Sequence, residues 1–273
     1  MSDMKIKTYG PVATILLQAW LPIALVALWF VTSAASTSVF WPSLSTILQT
    51  VVDWAASGEL WTDLIFSFGN YFAALALAIV VGLGFGLAIG LLPRVGEVLS
   101  PYLDFFRTLP IVVFVPIVIL VLGVGRGPKV FLIFLACVWP ILLNCIEGVR
   151  SIAPSVFETA RGYRIPLGLR IRRVVLPGAA PQIAIGIRLA VTIGLVMLVV
   201  SEMYGSTEGV GYFILQSGQR FQLAAAWGGT LLVGVIGWAF TVVYVLIEHR
   251  VLAWTREDAD ATRRVRALKG DSK

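Results

Sequence analysis

Charged residues are scarce in this 273-residue chain. Asp, Glu, Lys and Arg make up 13% of it, whereas 58% of its residues are hydrophobic and the mean hydropathy is +0.90. A chain with so few charges cannot cover a core with a wettable surface, so its expected solvent is the lipid bilayer. At about 20 residues for each crossing, the length allows roughly six membrane helices. We therefore predict an all-α, polytopic membrane protein with about six transmembrane helices.

The residues that several enzyme classes need are also missing. The chain has a single histidine, His249, so no second histidine can complete a metal site. Its two cysteines, Cys137 and Cys145, are separated by about 12 Å along a helix, which is too far for a disulfide bond. No Gly-x-x-x-x-Gly-Lys-Ser/Thr sequence occurs, so the loop that holds nucleotide phosphates is absent. We predict that the chain is not an enzyme and binds no cofactor of its own.

Positive charge is distributed unevenly. If six helices span the membrane, 18 of the 21 Lys and Arg residues fall on one side, and the other side has only Arg126, Lys129 and Arg220. Because cytoplasmic loops carry the excess of Lys and Arg, the richer side and both chain termini are predicted to be cytoplasmic. The net charge of +6 follows this topology rather than forming one patch, so we expect no nucleic-acid partner.

The predicted organisation is one transmembrane domain between two cytoplasmic ends. The N-terminal segment covers residues 1–13, the domain residues 14–253, and the basic tail residues 254–273. Ala34 and Ser36 resemble a leader cleavage site, but the apolar run before them is long enough to span, so we favour an uncleaved first helix. The predicted spans are residues 14–33, 66–92, 111–124, 130–145, 183–203 and 225–247.

Gly82, Gly86 and Gly90 recur every four residues in the second predicted span. This spacing places them on one stripe of a helix, where a second helix can approach closely. A dinucleotide-binding loop would need a further glycine and a preceding strand, so we predict helix packing instead.

The longest polar interruption of the apolar middle is residues 158–177, a loop within about 150–180 on the predicted cytoplasmic side. Its spacing resembles the EAA loop in the membrane subunits of bacterial binding-protein-dependent ABC importers. That loop has Glu-Ala-Ala, a glycine four residues after the second alanine, and an Ile-x-Leu-Pro ending. Thr159 replaces the first alanine and Arg164 the glycine, so we expect Pro166 and Gly168 to supply the turn. The matching residues are Glu158, Ala160, Val174, Leu176 and Pro177.

The resemblance extends to the nitrate, sulfonate and taurine branch of these importers over most of residues 60–255. It is carried by Leu109-Pro110, Gly123-x-Gly125, Asn144, Gly148-Val149-Arg150, Glu202-Met203 and Gly209-x-Gly211.

This resemblance implies a permease subunit in the bacterial inner membrane that imports a small anion or organic acid by alternating access. It also implies several partners: two ATP-binding subunits that carry the ATP and Mg²⁺, an extracytoplasmic solute-binding protein, and a second permease copy, with a homodimer favoured over a heterodimer. The ATPase would be coupled through Glu158, Thr159, Ala160, Arg161, Gly162, Arg164, Gly168, Leu176 and Pro177.

Four residues are candidates for the substrate path: Asn144, Glu202, Met203 and Tyr204. Glu202 is the ionisable residue nearest to a membrane interior, where such residues are costly; the second interpretation places it at the outer interface, capping the loop. Asn144 fits an interhelical hydrogen bond better than a substrate contact. The alternative function is an ion-coupled carrier or channel, which predicts buried ionisable residues in mid-span, and the apolar runs between Lys7 and Arg94 contain almost none.

Overall fold

The computed structural model describes residues 11–36 and 38–254, with side chains from residue 20 onward. Residues 1–10 and 255–273 of the predicted cytoplasmic ends lie outside the described residues. Within the described ranges every regular element is helical, which confirms the all-α prediction. The α-helices are α1 Pro11–Ser33, α2 Leu44–Ser57, α3 Glu59–Leu91, α4 Pro93–Thr108, α5 Val115–Leu122, α6 Arg126–Arg150, α7 Pro154–Gly162, α8 Leu167–Arg170, α9 Leu176–Gly205, α10 Val210–Gln219 and α11 Leu223–Val251.

The described chain forms two compact units, residues 11–60 with 214–231, and residues 61–213 with 232–254. In the first unit, the indole rings of Trp29, Trp41 and Trp227 pack together with centroids 5.4–6.2 Å apart. Clustered Trp side chains are typical of the boundary between membrane and water.

The core of the second unit contains α3, α6 and α9. A Cβ atom on Gly86 would lie 2.6 Å from Cβ of Cys145, and one on Gly90 would lie 2.8 Å from Cβ of Val149. Gly82 is as close to Ile141, so all three glycines of the stripe face α6. The predicted close approach of a second helix is therefore confirmed, and the structure identifies that helix as α6.

Helices α6 and α9 pack antiparallel along most of their length. Gly148 lies against Ala179 near one end of the pair, and Gly194 lies against Cys137 further along. Both cysteines of the chain are buried and free, as their spacing predicts. Because small residues line both sides of this contact, the two backbones come close enough for a dry, tightly packed seam.

The third predicted span, residues 111–124, begins at a break in the helical chain. Leu109, which precedes Pro110, is extended (φ −72°, ψ 124°), because a following proline disfavours the helical conformation. A 3-10 turn, Ile111–Phe114, then leads into α5, and this segment is bent by 76° from α4. The described residues contain four helices long and apolar enough to cross a membrane, or five if the bent pair is one span. A count of six stays a prediction.

Candidate functional site

The polar segment forms two short helices, α7 and α8, joined by a tight turn. Helix α7 ends with two hydrogen bonds: the Ile165 N–H donates to the Ala160 carbonyl at 3.0 Å and the Arg164 N–H donates to the Arg161 carbonyl at 2.9 Å. This pair of bonds is the Schellman motif, which requires a left-handed residue directly after the helix. Arg164 is that residue, with φ 53°.

The turn therefore lies at Arg164 itself, and the prediction that Pro166 and Gly168 supply it was wrong. Pro166 instead precedes the first residue of α8, and Gly168 lies inside that short helix with a negative φ. The left-handed conformation favours glycine, because a Cβ atom crowds the following carbonyl oxygen. The position where the EAA pattern has glycine thus keeps the conformation of glycine, although it carries an arginine.

Arg164→Gly is expected to slow hydrogen exchange at the Ile165 amide. Removing the left-handed strain gains about 1–2 kcal/mol, and the greater freedom of glycine in the open state takes back about 0.5–1 kcal/mol, so the turn is stabilised by a net of about 0.5–1 kcal/mol. Exchange mass spectrometry or NMR on the full-length chain measures the change. The matched control is Arg161→Gly, within α7, where glycine costs about 1 kcal/mol and exchange should become faster. Faster exchange in the Arg164 variant would contradict this account of the turn.

A π-helical turn, Ile171–Val175, connects α8 to α9 without a break. It ends two residues before Pro177, whose ring in a regular α-helix clashes with the carbonyl four residues earlier, that of Arg173. The wider π-helical turn shifts the Arg173 carbonyl away from the position where the proline ring would meet it. Leu176 and Pro177, the end of the predicted pattern, are half-buried at the start of α9.

Most of the predicted coupling residues are exposed. Ala160 is buried (3% exposed), whereas Glu158, Thr159, Arg161, Gly162, Arg164 and Gly168 face solvent. Large apolar side chains are exposed beside them, with Tyr163 at 80% and Leu167 at 61%. Exposed aromatic and aliphatic groups among arginines are typical of a surface that another protein covers.

The second candidate region surrounds Glu202, which is completely buried near the end of α9. Its Oε2 accepts hydrogen bonds from the Ser67 hydroxyl and from the Gly211 N–H, both at 2.9 Å. The Ser67 hydroxyl in turn accepts from the Val210 N–H at 3.0 Å, and Asp63 accepts from the Gly209 N–H at 2.7 Å. Three consecutive amides where the loop after α9 enters α10, those of Gly209 and of the first two residues of α10, are thus held by side chains of α3 and α9. We call these six residues the loop anchor.

The two glycines of this loop allow the carboxyl group to approach. A Cβ atom on Gly209, which has φ 105°, would lie 2.6 Å from the Glu202 carboxyl carbon, and one on Gly211 would collide with the Val199 carbonyl. Only glycine fits both positions. The Gly-x-Gly pattern was visible in the sequence, but Asp63 and Ser67 were not predicted, because they lie more than 130 residues before their partners.

Lys129 is a further residue that sequence reasoning did not single out. It is 3% exposed, its Nζ donates to the Gly125 carbonyl at 2.9 Å, and its ammonium lies 5.2 Å from the centre of the Phe66 ring. It interacts electrostatically with Glu202. A buried cation beside a buried acid lowers the cost of removing both from water.

The four predicted substrate-path residues are not brought together. Asn144 accepts a hydrogen bond from the Gln182 amide at 3.1 Å, which is the interhelical bond predicted for it. At 1.5 Å per residue, Gln182 and Glu202 are separated by about 30 Å along α9. Beside Glu202, Met203 is half-buried and Tyr204 is 66% exposed. A shared substrate site for these four stays a prediction.

One charged pair lies within the membrane helices. Arg188, which the sequence places about one turn into the fifth predicted span, lies inside α9, about 18 Å from the start of that helix. Its Nε donates to Glu248 of α11 at 3.0 Å, and its Nη2 contacts the same oxygen. Beside it, the Tyr244 hydroxyl donates to the Ala184 carbonyl at 2.7 Å. These contacts join α9 to α11. Among the described residues, no three His, Cys, Asp or Glu side chains cluster as a metal site would require.

Residues 78–256 match the family described as the binding-protein-dependent transport system inner membrane component. The chain belongs to this family. The match covers the stripe of glycines, both short helices of the polar segment and most of the loop anchor, and it confirms the family that the EAA-like spacing predicted.

Curated relatives of this inner membrane component are permease proteins. SsuC of Bacillus subtilis (strain 168), named as an aliphatic sulfonates transport permease, is 34% identical and aligns over 91% of this chain and 89% of the relative. The taurine transport system permease protein TauC of Escherichia coli (strain K12) is 27% identical over 72% of each chain. The bicarbonate transport system permease protein CmpB of Synechococcus elongatus is 29% identical, covering 66% of this chain and 62% of the relative.

Solved structures support the fold. The inward-facing MetNI methionine ABC transporter contains a chain that superposes with a TM-score of 0.61, covering 72% of this chain and 98% of that one. At 16% identity, this similarity shows the helical architecture alone. The chain is therefore a multi-pass membrane protein with the fold of ABC transporter permeases.

Proposed function

We propose that this inner membrane component is the permease subunit of an ATP-driven importer, which a separate ATPase drives through residues 158–177. The observation that carries the proposal is the exposed pair of short helices, α7 and α8, at the position of the EAA-like pattern. Its Schellman turn fixes the angle between them, so a protein bound there can move α9, which continues from α8 without a break. Such a rigid connection suits alternating access, in which motor closure moves membrane helices as bodies.

The substrate is proposed to be a small anion or organic acid, in the class of sulfonates, taurine or nitrate. Support comes from the relatives, whose names refer to aliphatic sulfonates, taurine and bicarbonate. Each of these three solutes carries a small oxyanion group. We assign delivery to the side of the loop anchor and release to the side of the polar segment.

The assembly follows from this function. Two ATP-binding subunits would carry ATP and Mg²⁺, and an extracytoplasmic solute-binding protein would deliver the substrate. A second copy of this chain would complete the path as a homodimer in the bacterial inner membrane, with both termini in the cytoplasm. Within this scheme we assign Glu202 the role of holding the delivery-side loop in place, because its carboxyl group faces loop amides and is closed to solvent.

Uptake in reconstituted vesicles tests the proposal. The chain, its ATPase and its solute-binding protein are placed in lipid vesicles with ATP on the ATPase side, and entry of radiolabelled taurine or an alkanesulfonate is measured. We expect uptake only with ATP, and unchanged uptake when proton and sodium gradients are dissipated by ionophores. Uptake that follows an ion gradient without ATP would instead identify a carrier. If neither solute is taken up but bicarbonate or nitrate stimulates ATP hydrolysis, the proposed substrate is wrong and the proposed importer function is retained.

A further inference from the structure

A cavity of about 780 Å³ lies between the last turns of α3 and the helices of the polar segment. One wall is apolar and includes Leu87 and Leu91 of α3, Phe157 of α7 and Leu167 of α8. The apolar surface of such a cavity offers nothing to a small hydrophilic anion. It suits a hydrocarbon chain, which gains free energy when it leaves water.

Another part of the lining is basic. Arg150, Arg161 and Arg170 line it, and Glu158 is the single acidic residue of the lining. Within residues 11–36 and 38–254, none of the three guanidinium groups forms an ion pair. Arg170 donates from Nη2 to the Ile165 carbonyl at 3.2 Å, while its buried Nε has no hydrogen-bond partner among the described residues. The wall therefore has unused donors that match a phosphate or sulfonate group.

An apolar strip of α3 leads into this cavity. Leu77 and Val80 are 46% and 70% exposed, and Gly84 and Ala88 continue the same helix face to the cavity wall. Their spacing of three or four residues places them in one line along α3. Nothing lies within 4 Å of the position that a Cβ atom on Gly84 would occupy. The strip and the basic wall together provide a track for an acyl chain that ends at cations.

We propose that this cavity binds one anionic phospholipid, with its phosphate between Arg161 and Arg170 and an acyl chain along α3. Basic pockets between membrane helices on the cytoplasmic side are suited to anionic head groups, and the side assigned here follows from the proposed topology. The lipid would contact α3, α7 and α8 together, so it would form part of the connection between the polar segment and the membrane helices.

Native mass spectrometry of the full-length chain in detergent, titrated with phosphatidylglycerol or phosphatidylcholine, tests the proposal. We expect one phosphatidylglycerol to bind in preference to phosphatidylcholine. With about a five-fold loss for each guanidinium group that no longer contacts the anionic head group, Arg161→Gln combined with Arg170→Gln should weaken binding roughly 25-fold. The control, Arg94→Gln combined with Arg173→Gln, removes the same charge outside the cavity and should leave binding unchanged.

A second variant separates the acyl chain from the head group. Gly84→Leu fills the strip without changing charge, and the open space at this position lets the chain fold. It should weaken phosphatidylglycerol binding at least as much as one arginine substitution does.

Three outcomes would overturn the lipid site. They are equal binding of both lipids, displacement of phosphatidylglycerol by excess methanesulfonate or inorganic phosphate, and loss of lipid binding whenever the chain dimerises. The second outcome would mark a simple oxyanion site, and the third would mark this face of α3 as an interface between copies. The lipid measurement needs neither ATPase nor transported solute. The lipid site can therefore be refuted while the uptake result supports the importer, and the importer can be refuted while the lipid site is supported.

Discussion

Glu158→Lys is expected to abolish uptake and to release the ATPase from the membrane subunit. Glu158 is exposed on α7, in the segment assigned to the motor. When the ATPase is docked, this carboxylate would be buried against a positively charged partner. Removing one member of such a buried pair costs about 2–5 kcal/mol of binding free energy. At about 1.4 kcal/mol for each factor of ten, affinity for the ATPase should fall roughly 30-fold to several thousand-fold.

Co-purification of the ATPase with the tagged chain measures the effect, together with ATP-dependent uptake in vesicles. Glu97→Lys is the matched control, because Glu97 is an exposed acid on α4, outside the polar segment. Reversing its charge should leave both ATPase co-purification and uptake intact. A size-exclusion profile verifies that each variant folds.

Deletion of residues 163–168 tests the same surface more severely. It removes the left-handed turn at Arg164 and the exposed side chains of Tyr163 and Leu167. Tyr163→Ala keeps the backbone and should weaken ATPase binding about ten-fold if this ring is an anchor of the interface. Normal recovery of the ATPase with the deletion variant would refute the coupling role.

The second large effect is expected from Glu202→Leu, which should loosen the loop anchor and reduce uptake. Leucine removes the acceptor of the Gly211 N–H and the Ser67 hydroxyl, both of which are buried. Each unsatisfied buried donor costs about 1–3 kcal/mol, so exchange of the amides at residues 209–211 should become at least ten-fold faster. Hydrogen-exchange mass spectrometry on the full-length chain measures this change.

Glu202→Gln separates a positioning role from substrate contact. Glutamine keeps a carbonyl acceptor for the same donors, so it should retain most of the protection of the loop and most of the uptake. If Glu202 bound substrate directly, both variants would instead change the KM for uptake, and hydrogen exchange of the loop amides would be unaffected. Glu208→Leu serves as the control, since this side chain is exposed on the same loop.

The architecture was predictable where a local rule sufficed. Apolar composition indicated the bilayer, and the four-residue spacing of Gly82, Gly86 and Gly90 indicated close helix contact. The partner helix of this stripe was not predictable. In a membrane helix every face is apolar, so hydrophobic periodicity does not show which face meets protein and which meets lipid.

The bend after α4 shows a second limit. The break at Pro110 was predictable, since the third span was predicted to begin at Ile111, but the bend of 76° at this break was not predicted. Proline sets the conformation of its own and the preceding residue, but the direction of the chain after the break depends on what the next helix packs against. Here α5 packs against α6, which no local signal indicated.

In both the polar segment and the loop anchor, some features follow from the local sequence and others from contacts with distant residues. For residues 158–177, the sequence by itself predicted the side of the membrane and, through spacing, carried the resemblance to a coupling loop. Only the tertiary structure placed the turn at Arg164, because a left-handed arginine is tolerated where the surrounding hydrogen bonds specify it.

Glu202 illustrates the same division for the candidate path. The sequence determined that an acid lies near the end of an apolar run and left two roles open. The fold decided its surroundings by bringing Asp63 and Ser67 against a loop more than 140 residues later. Burial makes those contacts obligatory, since a polar group removed from water must find its partners within the protein.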